Sequence, residues 1–381
     1  MDFSRSEEQQ TLYESVRDSA KKLLNSDVVQ RDHDNVFSKA LWKTCTDLGV
    51  LNWSMPAGYG GADYDIATTA YLMEALGEGC SDNGLTFALG AQLWSVQSAL
   101  LHFGSQQQIE TYLPALMNGS MMGCFAITEK GSGSDAFALS TTATRSGDHY
   151  ILNGEKVMIT LAPVANIALI FAVTNPSALQ WGISAFLVDT ATAGFIASDN
   201  VPKMGLRTVP FGNITLEDCR VSATQLLGKE GAGLSIFNHS QNRERALVLA
   251  PQLGAMQRLL DQCIEFSCNR SRADTPIGKH QAVSHRIADM RIRLETCRLL
   301  LYKVAWLLDH DQQCLTEAAI AKTHLSEAFV DTCNDAIAIH GGAGYITANG
   351  IERQARDATG ATIYGGTGDI QRNIISGMLG L

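Results

Sequence analysis

The chain has 381 residues, with 39 acidic against 29 basic side chains and a formal net charge of -10. This length allows two or three domains, or one large fold with a substantial core. The acidic balance, and the lack of any Lys/Arg run interleaved with aromatic residues, argue against nucleic acid as a partner. No apolar stretch approaches the roughly 20 residues of a membrane helix, and the polar start of the chain is unlike a secretory signal. We therefore expect a cytoplasmic protein that does not enter a membrane.

The nine cysteines are scattered singly along the chain. The closest pair, Cys263 and Cys268, lacks both CxxC spacing and a neighbouring histidine cluster. An odd number of thiols fits a reducing compartment, where such residues are usually small buried hydrophobes. We expect no metal site and no catalytic cysteine.

The sequence divides into three segments of different texture. In residues 1–120 apolar residues recur three or four apart, which predicts an N-terminal helical domain. In residues 121–227 short β-rich runs alternate with Gly, Asn, Asp and Pro turns, which predicts a small antiparallel barrel or sandwich. In residues 228–381 the helical period returns and predicts a C-terminal four-helix bundle. The expected fold class is α+β in three domains.

Some local features of these segments are more specific. Asn153-Gly154 is expected to turn a two-residue hairpin, because both residues tolerate positive φ. Three helices are expected in the bundle, over residues 247–266, Gln281–Asp309 and residues 315–339, because each carries a broad apolar face.

Four motifs carry the chemistry. Two lie in the β-rich segment: Phe125-Ala126-Ile127-Thr128-Glu129-Lys130-Gly131-Ser132-Gly133-Ser134-Asp135 and Asn153-Gly154-Glu155-Lys156-Val157-Met158-Ile159-Thr160. Two lie in the bundle: Arg243-Glu244-Arg245-Ala246-Leu247-Val248-Leu249 and Ile363-Tyr364-Gly365-Gly366-Thr367-Gly368-Asp369-Ile370-Gln371-Arg372. Together they resemble the signatures of the acyl-CoA dehydrogenase superfamily, and the resemblance covers nearly the whole chain.

The resemblance implies FAD as cofactor and assigns flavin contacts to the β-rich segment. The residues so implied are Phe125, Ile127, Thr128, Ser134, Met158 and Thr160. Hydrogen-bond donors at the N1–C2 edge of a flavin favour hydride transfer to its N5. Ser134 has two implied roles, in contact with substrate or with cofactor phosphate, and Met158 replaces the family's tryptophan. Without the resemblance, the first motif would be an ordinary Gly/Ser turn and Met158 a core side chain.

Further cofactor contacts are implied in the bundle. Arg270, Gln281, Gly341 and Gly342 match residues that reach the FAD of a neighbouring subunit, which implies a homotetramer. A guanidinium suits a pyrophosphate because it donates in a fixed fork, although Arg270 is also compatible with a solvated surface charge. Thr367 and Asp369 are implied to lie at the FAD phosphates.

The catalytic base is the main departure from the pattern. Many relatives keep a glutamate where this chain has Gly365, whereas isovaleryl-type and long-chain-type relatives keep it on a helix, at the position of Glu244. The resemblance implies that Glu244 removes the α-proton of a thioester while hydride leaves to flavin N5. Gly365 would donate its N–H to the thioester carbonyl, and Arg245 and Tyr364 would bind substrate. Taken alone, an Arg-Glu-Arg run is usually a paired surface charge.

The substrate is implied by residues 278–301, which resemble the flavin-dependent prolyl-carrier-protein dehydrogenases and oxidases of pyrrole and anatoxin-like cyanotoxin biosynthesis. They imply an L-prolyl thioester on the phosphopantetheinyl arm of an acyl or peptidyl carrier protein, oxidised to a dehydroprolyl (pyrroline or pyrrole) thioester. Because carrier proteins are acidic, basic residues are docking candidates: Arg270, Arg272, Lys279 and Arg286. Two alternatives stay open, a short- or branched-chain acyl-CoA dehydrogenase and a flavin-binding or carrier-docking protein without turnover. The number of electrons removed, and whether O2 or an electron-transfer flavoprotein accepts them, also stay open.

Overall fold

The structure is a computed structural model that describes residues 5–381. The polar start of the chain, from which we argued against a secretory signal, lies partly outside the described residues. Along residues 5–381, no helix combines the length and the hydropathy needed to cross a membrane. Helices, then a sheet, then helices again follow one another, as expected for three domains of an α+β fold.

Helices form the first third of the chain. They are α1 (Glu7–Leu23), α2 (Val28–Asp34), α3 (Lys39–Asp47), α4 (Ile66–Gly79), α5 (Asn83–Ala91), α6 (Ser98–Phe103) and α7 (Gln106–Met117). A π-helical stretch, Gln92–Gln97, joins α5 to α6. Both α1 and α7 begin with a capping box, in which Ser6 or Ser105 and the glutamine three residues later satisfy each other's backbone amides.

The middle of the chain is one sheet of short strands. They are β1 (Gly123–Ala126), β2 (Thr142–Ser146), β3 (His149–Thr160), β4 (Ile167–Val173), β5 (Ile183–Asp189), β6 (Phe195–Ala197), β7 (Phe211–Ser222) and β8 (Leu226–Leu227). Their order is β6-β7-β3-β2-β4-β5-β8, mostly antiparallel, with β1 parallel to β4. Strands β4 and β5 are buried almost throughout, as befits strands covered on both faces.

The predicted hairpin at Asn153-Gly154 is wrong. Both residues lie inside β3, and the chain reverses between β2 and β3 at Gly147, where φ is +65°, and Asp148. The pairing of β3 with β7 slips at this point, which marks a β-bulge, and a Cβ on Gly154 would lie 2.5 Å from Thr141 Oγ1. The Asn-Gly pair therefore serves a bulge, which needs the same backbone freedom as a turn.

The C-terminal part is helical again. Its elements, which include a two-stranded ribbon between α9 and α10, are α8 (Gly233–Leu247), α9 (Ala250–Asn269), β9 (Ser271–Arg272), β10 (Thr275–Pro276), α10 (Gln281–Asp309), α11 (Leu315–His340), α12 (Gly342–Tyr345), α13 (Ile351–Ala361) and α14 (Gly368–Met378). Helices α8 to α11 pack on one another, and α13 and α14 pack on α11.

The helix expected over residues 247–266 begins three residues later than predicted. Leu247 ends α8, and α9 begins at Ala250 with Pro251 in its first turn. Proline has no N–H for a continuing helix but suits the first turn, where that donor would be unpaired. The apolar period runs through this break, which is why periodicity alone missed it.

Helix α9 lies against α4 at backbone distance because each helix presents a glycine. A Cβ on Gly254 would lie 2.0 Å from the carbonyl oxygen of Glu74, and a Cβ on Gly77 would lie 1.9 Å from that of Pro251. Neither position has room for a side chain. This crossing joins the N-terminal helices to the bundle.

We expect Gly254→Ala to lower the melting temperature by about 5 °C or more, because the added methyl group must separate two packed backbones. The matched control is Gly377→Ala in α14, where a Cβ meets nothing within 4 Å. This control is expected to melt at or slightly above the wild-type temperature, since alanine is favoured over glycine in a helix by about 1 kcal/mol. Differential scanning calorimetry measures the melting temperatures of both variants. Equal melting temperatures would contradict the close packing of α4 on α9 at these glycines.

Candidate active site

Glu244 lies near the end of α8 and is largely shielded from solvent. Gln241 donates a hydrogen bond from its side-chain amide to Glu244 Oε2 at 2.7 Å. Burial raises the pKa of Glu244, and the Ser95 hydroxyl, Gln241, Arg245 and Lys322 oppose that rise. A carboxyl group with a raised pKa is suited to take a proton near neutral pH.

Arg245, the next residue, is buried without a counter-charge in contact. Its side chain is 7 % exposed, and its Nε and Nη1 atoms have no hydrogen-bond partner within residues 5–381. Burial lowers its pKa, while the charge of Glu244 acts in the opposite direction. Buried donors nearly always have partners, so these free donors favour a bound acceptor.

Tyr364 and Gly365 lie in the turn that joins α13 to α14. The Tyr364 ring packs on Phe87, with 4.3 Å between ring centroids, and its hydroxyl is 3.1 Å from the Gln252 side chain. Burial, and after it the negative charges of Glu244 and Asp357, raise the pKa of Tyr364. Gly365 has φ +65°, and its amide donates no hydrogen bond within the described chain.

Lys322 of α11 completes this cluster. It is 1 % exposed, and its ammonium group donates to the carbonyl oxygen of Ala361 and lies 5.1 Å from the Tyr364 ring centroid. Burial lowers the pKa of Lys322 to about 7; Glu244 opposes the shift and Arg245 adds to it. Sequence reasoning missed this residue, although a lone lysine amid small and apolar residues of a helical run was a usable signal.

In the sheet, a buried ion pair supports the residues after β1. Lys156 donates to Glu129 Oε1 at 2.7 Å and to the carbonyl oxygen of Ile127 at 3.1 Å. Glu129 also accepts from the backbone amides of Ser140, at 2.6 Å, and Thr141, at 3.1 Å. Val157 N–H donates to the Thr128 carbonyl oxygen at 2.9 Å. The backbone of residues 127–129 is thus held against β3.

Around this backbone, one face carries exposed side chains. Met158 is 55 % exposed with φ +59°, and its amide donates to Asn213 Oδ1 at 3.2 Å. The alternative interpretation of Met158 as a core residue is therefore wrong. Thr160 ends β3 and Ser134 is exposed.

Phe125 packs in an aromatic cluster with Phe171 and with Phe237 of α8. The ring centroids of Phe125 and Phe171 are 5.0 Å apart, and those of Phe125 and Phe237 are 6.4 Å apart. The β1 strand is thereby packed beside the helix that carries Glu244.

The residues predicted to reach a second FAD gather at the far end of the bundle. Arg270 ends α9, Gln281 begins α10, and Gly341 and Gly342 follow α11, all exposed to solvent. The 18 residue steps along α11 from Lys322 to His340 place this end about 27 Å from Lys322, at 1.5 Å per residue. The structure does not bring these four residues to the Glu244 site of the same chain.

The remaining predicted residues are the two implied phosphate contacts at the start of α14 and the basic docking candidates. Thr367 caps α14 by accepting from the Ile370 amide at 3.4 Å, and Asp369 is exposed in its first turn. All four docking candidates, Arg270, Arg272, Lys279 and Arg286, are exposed, and Arg286 pairs with Asp335 at 2.6 Å.

The arrangement of a helical domain, a sheet and a helical bundle around a partly buried glutamate is that of an acyl-CoA dehydrogenase. The N-terminal, middle and C-terminal domain models of that family match residues 6–120, 124–219 and 217–379. The chain belongs to the acyl-CoA dehydrogenase family.

Within the family, the chain is similar to enzymes of two kinds. It is 38 % identical to the L-prolyl-[peptidyl-carrier protein] dehydrogenase of Pseudomonas fluorescens, over 91 % of each chain. It is 37 % identical to the human mitochondrial short-chain specific acyl-CoA dehydrogenase, over 98 % of this chain and 90 % of that one.

Solved structures add to the similarity. The prolyl acyl carrier protein oxidase AnaB is 42 % identical, with a TM-score of 0.98 over 99 % of this chain and 100 % of that one. PigA, solved with FAD and proline, is 36 % identical, with a TM-score of 0.97 over both full chains.

We expect Glu129→Gln to lower the melting temperature by about 5 °C at pH 7, because Lys156 would stay buried without its counter-charge. The Glu129 pKa results from burial, which raises it, and from Lys156 and the hydrogen bonds, which together lower it from 4.5 to about 2. The stabilisation is therefore complete above about pH 4.5 and is lost as the pH falls towards 2.

The comparison is thermal unfolding of wild type and variant from pH 7 down to pH 2, with Glu327→Gln as control. Glu327 forms an exposed pair with Arg372 at 2.6 Å, and such pairs contribute little. A difference between wild type and Glu129→Gln that stays constant down to pH 2 would refute the assignment.

Proposed function

We propose that this chain is an FAD-dependent dehydrogenase or oxidase of a carrier-bound L-prolyl thioester, which it converts to a dehydroprolyl (pyrroline or pyrrole) thioester. The observation that carries the proposal is the partly buried Glu244 on α8, whose charge acts on Tyr364, together with the adjoining Gly365, a position without a side chain. The carboxyl group that α-proton abstraction requires is thus present on the helix and absent from the turn. Similarity over the full chain to AnaB and PigA supports the prolyl-carrier substrate.

The residues present fit an FAD. The backbone after β1, with the Thr128 hydroxyl, the half-buried Thr160 and the exposed Met158, offers donors and an apolar face to the isoalloxazine ring. Phe125 packs on Phe171 and Phe237. The N-terminus of α14, with its Thr367 cap, suits a phosphate, because the first amides of a helix point outward. Bound FAD supplies the acceptor for the hydride.

Glu244 is the proposed base. Its raised pKa lets it hold a proton taken from the α-carbon, while the hydrogen bond from Gln241 fixes its orientation. Proton abstraction next to a thioester also requires stabilisation of the enolate-like oxygen. The Gly365 amide, free within the described chain, is the proposed donor to that oxygen.

Arg245 and Tyr364 complete the proposed substrate site. The unpaired donors of Arg245 suit acceptor atoms of the phosphopantetheinyl arm, and the Tyr364 ring offers an apolar wall beside Glu244. Ser134, exposed on the loop after β1, is the proposed contact to substrate or cofactor phosphate.

The homotetramer is part of the proposal. Arg270, Gln281, Gly341 and Gly342 lie about 27 Å along α11 from the cluster at Lys322, which supports their reaching the FAD of a neighbouring subunit. The carrier protein is the proposed partner, with Arg270, Arg272 and Lys279 as docking candidates. Arg286 is a weaker candidate because it is paired with Asp335.

A second candidate is a short-chain acyl-CoA dehydrogenase. It is favoured by the 37 % identity to the human enzyme, which nearly equals the identity to the bacterial prolyl dehydrogenase. Both candidates use the same base and the same cofactor, so substrate assays separate them.

We expect the purified protein to be yellow, and its flavin absorbance to bleach without oxygen when prolyl-loaded carrier protein is added but not when butyryl-CoA is added. Glu244→Gln should keep bound FAD and reduce the bleaching rate by about 10²–10⁴-fold, because the amide cannot accept the proton. Stopped-flow absorbance measures the rate. The mass of the carrier afterwards shows whether one or two pairs of hydrogens have left.

The control is Glu265→Gln, at an exposed position on α9, which should bleach as wild type does. Bleaching by butyryl-CoA alone would select the second candidate. A colourless protein that cannot be reconstituted with FAD would refute both, and normal bleaching by Glu244→Gln would refute the base.

A further inference from the structure

Lys322 lies in the middle of α11 with almost no access to solvent. Its side chain is 1 % exposed, and α11 packs on α8 and α13 at this level. An ammonium group has three donors, and the structure gives it one acceptor, the carbonyl oxygen of Ala361. A buried charge this sparsely bonded is costly unless an opposite charge lies close.

The charged groups that act on Lys322 all come from α8. Glu244 attracts it and Arg245 repels it. Helix α13 contributes the Ala361 carbonyl, and the turn after α13 contributes the face of the Tyr364 ring, 5.1 Å from Nζ. Helix α11 packs on α8, and Glu244 of α8 is the carboxyl group whose charge favours the ammonium form of Lys322, although the two groups form no ion pair within 4.0 Å.

Lys322 also lies under the turn that holds Gly365. A Cβ on Gly365 would lie 3.6 Å from Lys322 Cε, an ordinary contact distance. A carboxylate side chain at position 365 would therefore start beside this lysine and would compete with Glu244 for its charge. With glycine there, the lysine is left to the carboxyl group on α8.

We propose that Lys322 is a positioning residue for catalysis, which keeps Glu244 ionised before proton transfer and anchors the turn that presents the Gly365 amide. The inference rests on the proposed function, in which Glu244 is the base. Lys322 would have two separate effects. Its charge would favour the ionised form of Glu244, and its hydrogen bond to the Ala361 carbonyl oxygen would hold the turn in place.

The substitutions that separate them are Lys322→Gln and Lys322→Arg. Glutamine keeps a donor for Ala361 but removes the charge, whereas arginine keeps the charge. The matched control is Lys303→Gln, at an exposed lysine of the adjacent helix α10 that pairs with Glu317.

The first readout needs no turnover. Infrared difference spectra of the protein across a pH series give the titration midpoint of Glu244, whose carboxyl band is identified by its absence in Glu244→Gln. We expect the midpoint to rise by about one pH unit in Lys322→Gln, because loss of a nearby opposite charge raises a carboxyl pKa. Lys322→Arg and Lys303→Gln should titrate within about 0.3 unit of wild type.

The second readout is the rate of flavin bleaching by prolyl-loaded carrier as a function of pH. The limb on which the base loses its proton should move to higher pH in Lys322→Gln by the same amount as the infrared midpoint. The rate would thus fall up to about tenfold on that limb and recover above it. Lys322→Arg should restore the wild-type profile.

An unchanged or lower infrared midpoint in Lys322→Gln would overturn the inference. So would equal shifts in the glutamine and arginine variants, which would indicate packing and not charge. If neither prolyl-loaded carrier nor butyryl-CoA bleaches the flavin of the wild-type protein, the proposed function fails. The infrared titration still decides whether Lys322 controls the protonation of Glu244.

Discussion

The close crossing of α4 and α9 is the constraint on which the geometry of the site depends. Gly77 and Gly254 allow the two backbones to touch, and this contact sets the N-terminal helices against the bundle. Helix α5 and the π-helical stretch follow α4 directly, and α8 directly precedes α9. The Ser240 hydroxyl of α8 donates to the Ser95 carbonyl oxygen at 3.1 Å, so the helix that carries Glu244 is tied to the π-helical stretch.

Around that crossing, the site is built from groups that burial would otherwise neutralise. Glu244 is pushed towards its protonated form, and Lys322 and Arg245 are pushed towards their neutral forms. The opposite charges partly reverse these effects for the carboxyl group and the lysine. A carboxyl group balanced in this way can change protonation state at little cost, which a base in a catalytic cycle must do twice per turnover.

Much of the fold was predictable from sequence, because long amphipathic helices and β-rich runs have clear periods. The helix Gln281–Asp309 was predicted with the bounds that the structure has. The hairpin at Asn153-Gly154 was not, since a turn and a β-bulge need the same backbone freedom and only pairing with β7 distinguishes them. The break before α9 was missed because apolar residues continue through it.

For the site, motifs were informative about individual positions but not about their partners. Glu244 was found because it matches a local helical motif, and Gly365 because it departs from the motif of the turn. Lys322 and the pairing of Lys156 with Glu129 depend on residues far apart in the chain, which no local pattern joins.

The location of Glu244 on a helix has a consequence for how this enzyme can vary. Each residue of an α-helix turns the chain by about 100°, so a single insertion in α8 before position 244 would swing the carboxyl group out of the site, whereas surface loops tolerate changes in length. The number of residues in α8 before position 244 therefore tolerates less change than the lengths of the surrounding loops.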